Sequence, residues 1–583
     1  MGHARGFWYG LGLGAVLCHL LAGAAWAAWA TDPAVNTAIC TITGEQLYAE
    51  AVTDGAGGAI ITWQDARLGI SNYDIHAQRV DAAGTVLWAD DGVVVCNAAG
   101  NQQVPQLVSD GAGGAIIVWL DNRAGGIYAQ HVDAWGNALW TANGVALCSV
   151  GGSKTTLSVK ADGMGGAICT WVDDRGGFGY TDIYAQRVSG GGTVQWGAGA
   201  VAVCTASFIQ SFPAITGDGA GGAIITWQDC RDQIHLYHIY AQRIASDGSP
   251  MWAANGVVVC NATVAQQWPK IDTDGAGGAI ITWQDKRTTA EWDIYAQRVS
   301  NLGVPVWTAN GVPVCNYSGD QAQPLCVSDG TGGLYVTWID PRLSLQGDMY
   351  VQRIDGAGVR QWNADGVGIT ATNTTKLNHD ITGDGNGGAL IAWQDLRGTS
   401  YDIYVQKVGL AGTAAWTGNG VAVGTAVQTQ RFPTVVRDGA GGAILAFEDR
   451  RTGTDYDIYA QKVGADGSLG AAATGVGNTS PPAAARLHQN YPNPFNPVTT
   501  ISFDLRARSL VTLAVYDMRG HEVAVLAQGE LGAGAHERVW NAEGLASGVY
   551  VYRLTALPSA TVVGAGAGPS RAIDETRKLI LLK

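Results

Sequence analysis

Hydrophobic and polar residues alternate along most of the chain in short runs, which is the period of β-strands and not of helices. In the first clear unit, residues 46–53 (QLYAEAVT) and 59–65 (AIITWQD) form two such runs, joined by the glycine turn DGAGG. Two more runs follow at 74–81 (DIHAQRVD) and 92–96 (GVVVC). Each unit therefore predicts four short antiparallel strands.

This unit recurs along the chain. An Asp-Gly pair marks eight starts, 52 to 56 residues apart, at Asp54, Asp110, Asp162, Asp218, Asp274, Asp329, Asp384 and Asp438. Repeats of this length build solenoids or propellers, and four strands per repeat are typical of a propeller blade. The order of signals within a unit loosely resembles TolB-type propeller repeats, a resemblance that bears on the fold only.

The ends of the repeat array indicate ring closure. The eighth unit lacks its fourth strand, whereas a matching strand, NTAIC (36–40), precedes the first unit. We therefore predict an all-β chain with an eight-bladed β-propeller that an N-terminal strand closes. A pair of four-bladed rings is the alternative.

The two ends of the chain differ from the repeats. Residues 1–30 begin with a basic residue and an apolar run and end in small residues, the layout of a secretory signal peptide cleaved just after Ala30. A permanent transmembrane anchor is the alternative for this segment. The predicted order is a propeller (31–470), a Pro-containing linker (471–486) and a small Ig-like β-sandwich (487–583).

The last hundred residues carry specific motifs. NYPNPFNP (490–497), YDMRG (516–520), LASGVYVYRL (545–554) and the closing KLILLK occur in that order. They resemble the type A C-terminal sorting domain of the type IX (Por) secretion system, whose sandwich is similar to the FlgD-type Ig-like domain. The resemblance implies type IX secretion machinery as a partner, and a secreted or cell-surface protein that travels through the periplasm. An ordinary Ig-like adhesive domain is the alternative.

Composition excludes several partners. A net charge of −14 without any basic run argues against nucleic acid, and no later stretch is apolar enough for a permanent membrane span. We expect no cofactor, no metal site and no assignable catalytic residue. Six of the ten cysteines share one repeat position, which favours small buried hydrophobes over disulfides or zinc ligands: Cys40, Cys96, Cys148, Cys204, Cys260 and Cys315.

One polar motif recurs in every unit. Trp63, Asp65 and Arg67 are alternate residues and so share one face, and each has counterparts in the other units. We interpret the motif as structural, because an active site in a ring is normally asymmetric. A sialidase-like arginine cluster is the alternative. Phe212, Trp268 and Phe432, which recur before a proline, are likewise interpreted as packing residues.

Two loops vary strongly between units, one after the WxDxR motif and one after the cysteine strand. Both should open on one face of the ring, and loops on a rigid scaffold commonly carry function. The candidate ligand-binding residues there are Phe178, Tyr180, Phe208, His235, Tyr237 and Glu291. They favour noncatalytic binding of an extracellular glycan or protein. A secreted polysaccharide hydrolase or lyase, and a structural surface-layer component, are the alternatives.

Overall fold

A computed structural model describes residues 29–470 except 124, 178, 233–235, 288–290 and 344–345, and residues 485–581 except 488–489, 491–494, 506–507, 518–520, 533 and 559–572. The described residues fall into two compact units, 29–470 and 485–581. The predicted signal peptide as far as residue 28 and the predicted linker as far as residue 484 lie outside the described residues.

The strands of residues 37–463 form eight four-stranded antiparallel sheets, the blades of a ring. The first strand of the chain is β1 (Thr37–Cys40). Blades one to four comprise β2 (Gln46–Thr53), β3 (Ala59–Asp65), β4 (Asp74–Val80) and β5 (Val93–Cys96); β6 (Gln102–Ser109), β7 (Ala115–Asp121), β8 (Gly126–Val132) and β9 (Val145–Cys148); β10 (Lys154–Ala161), β11 (Ala167–Asp173), β12 (Asp182–Val188) and β13 (Val201–Cys204); β14 (Gln210–Gly217), β15 (Ala223–Asp229), β16 (His238–Ile244) and β17 (Val257–Cys260).

The second half of the ring repeats this order. Blades five to eight comprise β18 (Gln266–Thr273), β19 (Ala279–Asp285), β20 (Asp293–Val299) and β21 (Val312–Cys315); β22 (Ala322–Ser328), β23 (Leu334–Asp340), β24 (Asp348–Ile354) and β25 (Val367–Gly368); β26 (Lys376–Gly383), β27 (Ala389–Asp395), β28 (Asp402–Val408) and β29 (Val421–Gly424); β30 (Gln430–Arg437), β31 (Ala443–Asp449), β32 (Asp457–Val463) and β1.

The ring closes as the repeat pattern predicts. β1 pairs antiparallel with β32, so the N-terminal strand completes blade eight. The innermost strands of successive blades contact one another along residues 46–437, and β30 contacts β2 to complete the circuit. This single circuit confirms an eight-bladed propeller and excludes two four-bladed rings.

The core of the propeller lies between blades. The second strand of a blade, such as β3, is buried along its whole length because neighbouring blades cover both of its faces. One cluster joins Ile224 of blade four to Ile281 and Trp283 of blade five, and the other blade pairs are joined in the same way. Full burial of each such side chain contributes about 1.5–3 kcal/mol, so repeating the same apolar residues makes every blade fit its neighbours.

The Trp-Asp-Arg motif forms a buried shell. In blade one, the Trp63 indole donates to Asp65 at 2.8 Å, and the Arg67 guanidinium lies 2.7 Å from the same carboxylate. Although burial opposes ionisation, Arg67 holds the pKa of Asp65 below its usual range. Arg67 also donates to the Asp91 carbonyl and to the Cys40 sulfur of blade eight. The equivalent Asp–Arg ion pairs occur in all the blades.

The repeat cysteines contribute to this shell as thiols. Within the described residues, Cys40, Cys96, Cys148, Cys204, Cys260 and Cys315 are buried and not disulfide-bonded. Burial raises the pKa of Cys96 to about 11, which favours the neutral thiol. These six positions therefore behave as small buried hydrophobes.

The second unit is a two-sheet β-sandwich. Its strands are β33 (Ala485–Leu487), β34 (Val498–Leu505), β35 (Ser509–Tyr516), β36 (Glu522–Leu531), β37 (Gly534–Asn541), β38 (Gly548–Pro558) and β39 (Ile573–Leu581). One sheet has the order β33-β34-β37 and the other β36-β35-β38-β39. Side chains from both sheets form one core, which includes Phe503, Trp540 and Tyr552.

The NYPNPFNP segment contributes to that core. The backbone N–H of Asn490 donates to the Tyr552 hydroxyl at 2.8 Å, and the Asn490 amide donates to Thr499. Phe495 is buried and packs 5.5 Å from the Trp540 ring, measured between centroids. In neither unit do the described residues form a helix long and apolar enough to span a membrane.

Candidate functional site

Both variable loops of a blade open at the same end of its sheet. In blade one, Gln46 pairs with Asp65, and Asp65 pairs with Asp74, at the end where these loops depart. The Asp-Gly turn lies at the opposite end. We call the first end, which carries loops 66–73 and 97–101 in blade one, the variable-loop face.

Near this face, every innermost strand contains a β-bulge with one residue in the left-handed region. These residues have φ values between 46° and 57°: Tyr48, Val104, Thr156, Phe212, Trp268, Gln323, Asn378 and Phe432. A bulge bends the strand and re-aims its side chains. Left-handed backbone also costs energy for residues of these types, so the surrounding structure must hold the bulge in place.

A repeated glutamine helps to hold it. The Gln228 side chain in blade four accepts a hydrogen bond at 3.0 Å from the backbone N–H of Trp268 in blade five. The Gln284 side chain does the same for Gln323 in blade six. Gln228 and Gln284 belong to the WQD letters of the repeat. The repeated segment therefore positions the residues that differ from blade to blade.

The bulges of blades three to seven line a shared cavity. It has a volume of about 360 Å³, and innermost strands of five consecutive blades form its wall. We call it the channel-mouth cavity. Its lining comprises Thr156, Phe212, Pro213, Trp268, Pro269, Lys270, Gln323, Pro324, Leu325, Asn378 and His379.

One side of the channel-mouth cavity is aromatic. Phe212 and Trp268, on neighbouring strands, are 46% and 38% exposed, and their ring centroids lie 6.3 Å apart with a 46° tilt. The prolines that follow them, Pro213 and Pro269, are buried. Large apolar rings are thus held half-open to solvent by a rigid, bulged backbone.

The other side of the cavity is polar. Gln323, Asn378 and Lys270 provide amide and ammonium groups. His379 is only 8% exposed, and both of its ring nitrogens are buried. Burial lowers the pKa of His379 to about 4, so the imidazole is neutral at pH 7.

Three charged residues on the innermost strands interact electrostatically with one another. Glu50, Lys270 and Asp380 occupy equivalent positions two residues after the bulge in blades one, five and seven. Glu50 and Asp380 are half-buried, and Lys270 is exposed. Burial, followed by the charge of Asp380, raises the pKa of Glu50 to about 7. Burial also raises the pKa of Asp380 to about 6.

The contacts of the two carboxylates differ. Glu50 accepts a hydrogen bond from the Gln106 side chain at 3.0 Å. Asp380 accepts the backbone N–H groups of Ile381 and Val435, each at 2.8 Å, and so ties blade seven to blade eight. In the described parts of the chain, no group of three or more His, Cys, Asp or Glu side chains is placed to hold a metal ion.

Four of the residues proposed from the sequence, Tyr180, Phe208, Tyr237 and Glu291, are described, and they lie on the outer loops of the variable-loop face. Tyr180 is 51% exposed and stacks on Phe208, with 6.5 Å between ring centroids. Tyr237 is half-buried, and its carbonyl accepts the backbone N–H of Gln266.

Glu291 accepts the backbone N–H of Gly319 at 2.8 Å and so anchors its own loop. Phe178 and His235 lie outside the described residues. Of the four described candidates, the structure brings two together, Tyr180 and Phe208.

The channel-mouth residues were not selected from the sequence. The recurrence of an aromatic residue before proline predicts a packing role for Phe212 and Trp268, whereas the structure places both in the cavity wall. The signal that identifies them is the variation at this position, which holds Tyr48, Val104, Thr156, Gln323 and Asn378 in other units. A conserved packing role would not tolerate that range of side chains.

The second unit matches a known protein family. A family model described as the secretion system C-terminal sorting domain matches residues 489–563. The chain ends in a sorting domain of this family. Such a domain indicates export to the cell surface or extracellular space and interaction with the type IX secretion machinery. The sorting domain includes Asn490 and Phe495, which the NYPNPFNP segment places in the sandwich core.

Solved structures are similar to this chain only at low identity. A protein of unknown function from Dyadobacter fermentans is 10% identical, with a TM-score of 0.34 over 73% of this chain and 97% of that one. A Penicillium chrysogenum α-L-arabinanase complexed with arabinobiose is 13% identical, with a TM-score of 0.31 over 55% and 97%. A Bacteroides thetaiotaomicron endo-arabinase is 11% identical, with a TM-score of 0.27 over 42% and 92%. No curated protein matches the chain.

Proposed function

We propose that this exported protein binds an extracellular glycan, without cleaving it, in the channel-mouth cavity on the variable-loop face. The observation that carries the proposal is the half-exposed pair of Phe212 and Trp268 on the cavity wall. Aromatic rings with one apolar face open to solvent provide a large contact surface at a defined angle. The apolar C–H face of a sugar ring is a complementary surface.

The remaining wall suits the hydroxyl groups of a sugar. Gln323 and Asn378 present side-chain amides to the cavity. Small-molecule sites are concave, mostly apolar, and contain a few convergent polar groups. The cavity of about 360 Å³ falls within the roughly 300–1,000 Å³ usual for such sites. A concave site of this size favours an oligosaccharide over the broad face of a protein partner.

Binding to a glycan array tests the proposal. The secreted full-length protein is applied to neutral and uronic-acid oligosaccharides, and the affinity for any bound glycan is then measured by calorimetry. We expect Trp268→Ala to weaken binding at least tenfold. Trp135→Ala is the matched control, because Trp135 is 45% exposed in the turn after β8 and lies outside the cavity. Equal affinities for both variants would contradict the proposal.

Cleavage of the bound glycan is a second candidate function. It is favoured by Glu50 and Asp380, two carboxyl groups from non-equivalent blades whose pKa values are both raised, to about 7 and about 6. Glycoside hydrolysis commonly uses one carboxyl group to protonate the glycosidic oxygen and a second as base or nucleophile. A carboxyl group that is protonated near neutral pH is suited to the first task.

Chromatography of the array-identified glycan after incubation with the protein distinguishes binding from cleavage. Unchanged chain length supports noncatalytic binding. If shorter oligosaccharides appear, Glu50→Gln should retain affinity and lose turnover by roughly 100-fold or more, the effect of removing a general acid. Turnover that survives in Glu50→Gln would exclude Glu50 as the acid.

A further inference from the structure

A tryptophan joins each blade to the next at the outer rim of the ring. The Trp88 indole of blade one donates to the Ala134 carbonyl of blade two at 3.0 Å. Equivalent bonds of 3.0–3.1 Å are made by Trp140, Trp196, Trp252, Trp307, Trp362 and Trp416. A glycine of the next blade packs against each ring, as Gly136 does against Trp88.

Trp29 completes this series. Its indole donates to the Ala82 carbonyl of blade one at 3.1 Å, and Gly84 packs against its ring. Trp29 is 2% exposed, although it lies eight residues before the first strand of the ring. Within the described chain, blade eight therefore takes its joining tryptophan from the N-terminal side and not from its own repeat.

Ala30 also has a fixed place. In blade one, the Gln78 side chain donates to the Ala89 carbonyl, directly after Trp88. In blade eight, the Gln461 side chain donates to the Ala30 carbonyl, directly after Trp29. Gly470 is the last described residue of the repeats, and it lies beside Trp29. A Cβ on Gly470 would lie only 2.5 Å from the Trp29 carbonyl oxygen, so the two segments are in close contact. Trp29 and Ala30 thus continue blade eight where Gly470 leaves it.

We propose that the export leader is removed before Trp29, by hydrolysis of the Ala27–Ala28 peptide bond, so that the mature propeller keeps Trp29 and Ala30. Water supplies the hydroxyl of the new Ala27 carboxyl group and the proton of the new Ala28 amine, and a signal peptidase is the catalyst.

The local sequence permits this cut. Ala25-Trp26-Ala27 has the same small–x–small pattern as Ala28-Trp29-Ala30, which fits a cut after Ala30. Ring closure distinguishes the two sites, because the later cut would remove a buried indole, its hydrogen bond to blade one and the Gln461–Ala30 hydrogen bond within blade eight.

The intact mass and N-terminal sequence of the protein recovered from the culture medium test the proposal. We expect a mature N-terminus at Ala28. A mature chain that begins at Thr31 would overturn it.

Matched tryptophan variants test the closing role of Trp29 independently of processing. Trp29→Ala should lower Tm by roughly 5 °C or more, as should Trp88→Ala at the equivalent site of blade one. Trp29→Phe, which retains an aromatic ring and removes the N–H, should lower Tm by less. This variant also tests the role of Trp29 if Trp29→Ala cannot be recovered. Trp26→Ala should leave the Tm of the secreted protein unchanged. Unchanged Tm in both Trp29 variants would contradict the proposal.

Discussion

Two layers of the propeller contrast in how they use the repeat. The buried shell of Trp, Asp and Arg is nearly the same in each blade, as the ion pairs Asp65–Arg67 and Asp229–Arg231 illustrate. The bulged positions at the channel mouth hold different side chains in successive blades, such as Phe212, Trp268 and Gln323. The difference indicates a division of labour. Identical residues make blades fit, and varied residues on a fixed backbone create an asymmetric cavity.

A substitution in the buried Trp-Asp-Arg shell should have the largest effect, which is a loss of stability. Asp229 is fully buried and holds the Trp227 indole and the Arg231 guanidinium. Asp229→Ala leaves a partly buried cation without its partner, so we expect a loss of about 3 kcal/mol. Asp232→Ala, at an exposed neighbouring site, should change stability by less than about 0.5 kcal/mol. Thermal unfolding of both variants provides the comparison, and equal Tm values would contradict it.

A substitution in the channel-mouth cavity should have the next largest effect, which is a loss of glycan affinity. Trp268→Ala removes half of the aromatic wall, so we expect at least a tenfold loss, equivalent to about 1.4 kcal/mol, in glycan affinity by calorimetry. Because Trp268 is 38% exposed, the Tm of the Trp268→Ala variant should fall less than that of Asp229→Ala. A reversed order, with stability lost and affinity kept, would assign Trp268 to the scaffold.

Glu50→Gln should have a smaller, pH-dependent effect on stability. The pKa of Glu50 is raised from 4.5 to about 7. Between these values the unfolded chain ionises first, so the wild type loses stability as pH rises through this window and Glu50→Gln does not. The variant should match the wild type near pH 4.5 and exceed it by about 1 kcal/mol above pH 7, after allowance for solvent screening. Tm measured across this range checks the sign, and a variant that is less stable at pH 8 would contradict it.

The smallest effect is expected at the outer loops. Tyr180 and Phe208 stack on each other on the variable-loop face, away from the residues that line the channel-mouth cavity. Tyr180→Ala should therefore change glycan affinity less than twofold in the same calorimetric assay. A loss of affinity as large as that of Trp268→Ala would indicate that the glycan binds at the outer loops.

The fold could be predicted from the sequence because its determinants are repeated. The Asp-Gly turns and the WxDxR letters occur in each unit, and the strand NTAIC at 36–40 matches the strand missing from the eighth unit. Trp29 is the eighth rim tryptophan, but it lies within the segment that has the layout of a signal peptide. The signal-peptide pattern thus assigns Trp29 and Ala30 to the leader, whereas ring closure assigns them to blade eight.

The channel mouth could not be predicted from alternation. A bulge shifts the register between Ser211 and Ala214, and between Gln267 and Lys270, so the period of two does not hold across these positions. The side-chain direction of Phe212 and Trp268 therefore depends on backbone geometry that a hydrophobic pattern does not encode. Glu50 and Asp380 lie 330 residues apart, and only the closed ring brings both into one channel.

A crystal structure of the protein with the array-identified glycan tests the central claim most directly. We predict a sugar ring packed against Trp268 and Phe212, with its hydroxyl groups within hydrogen-bonding distance of Gln323 or Asn378. A glycan bound instead against Tyr180 and Phe208, with the channel-mouth cavity empty, would contradict the account.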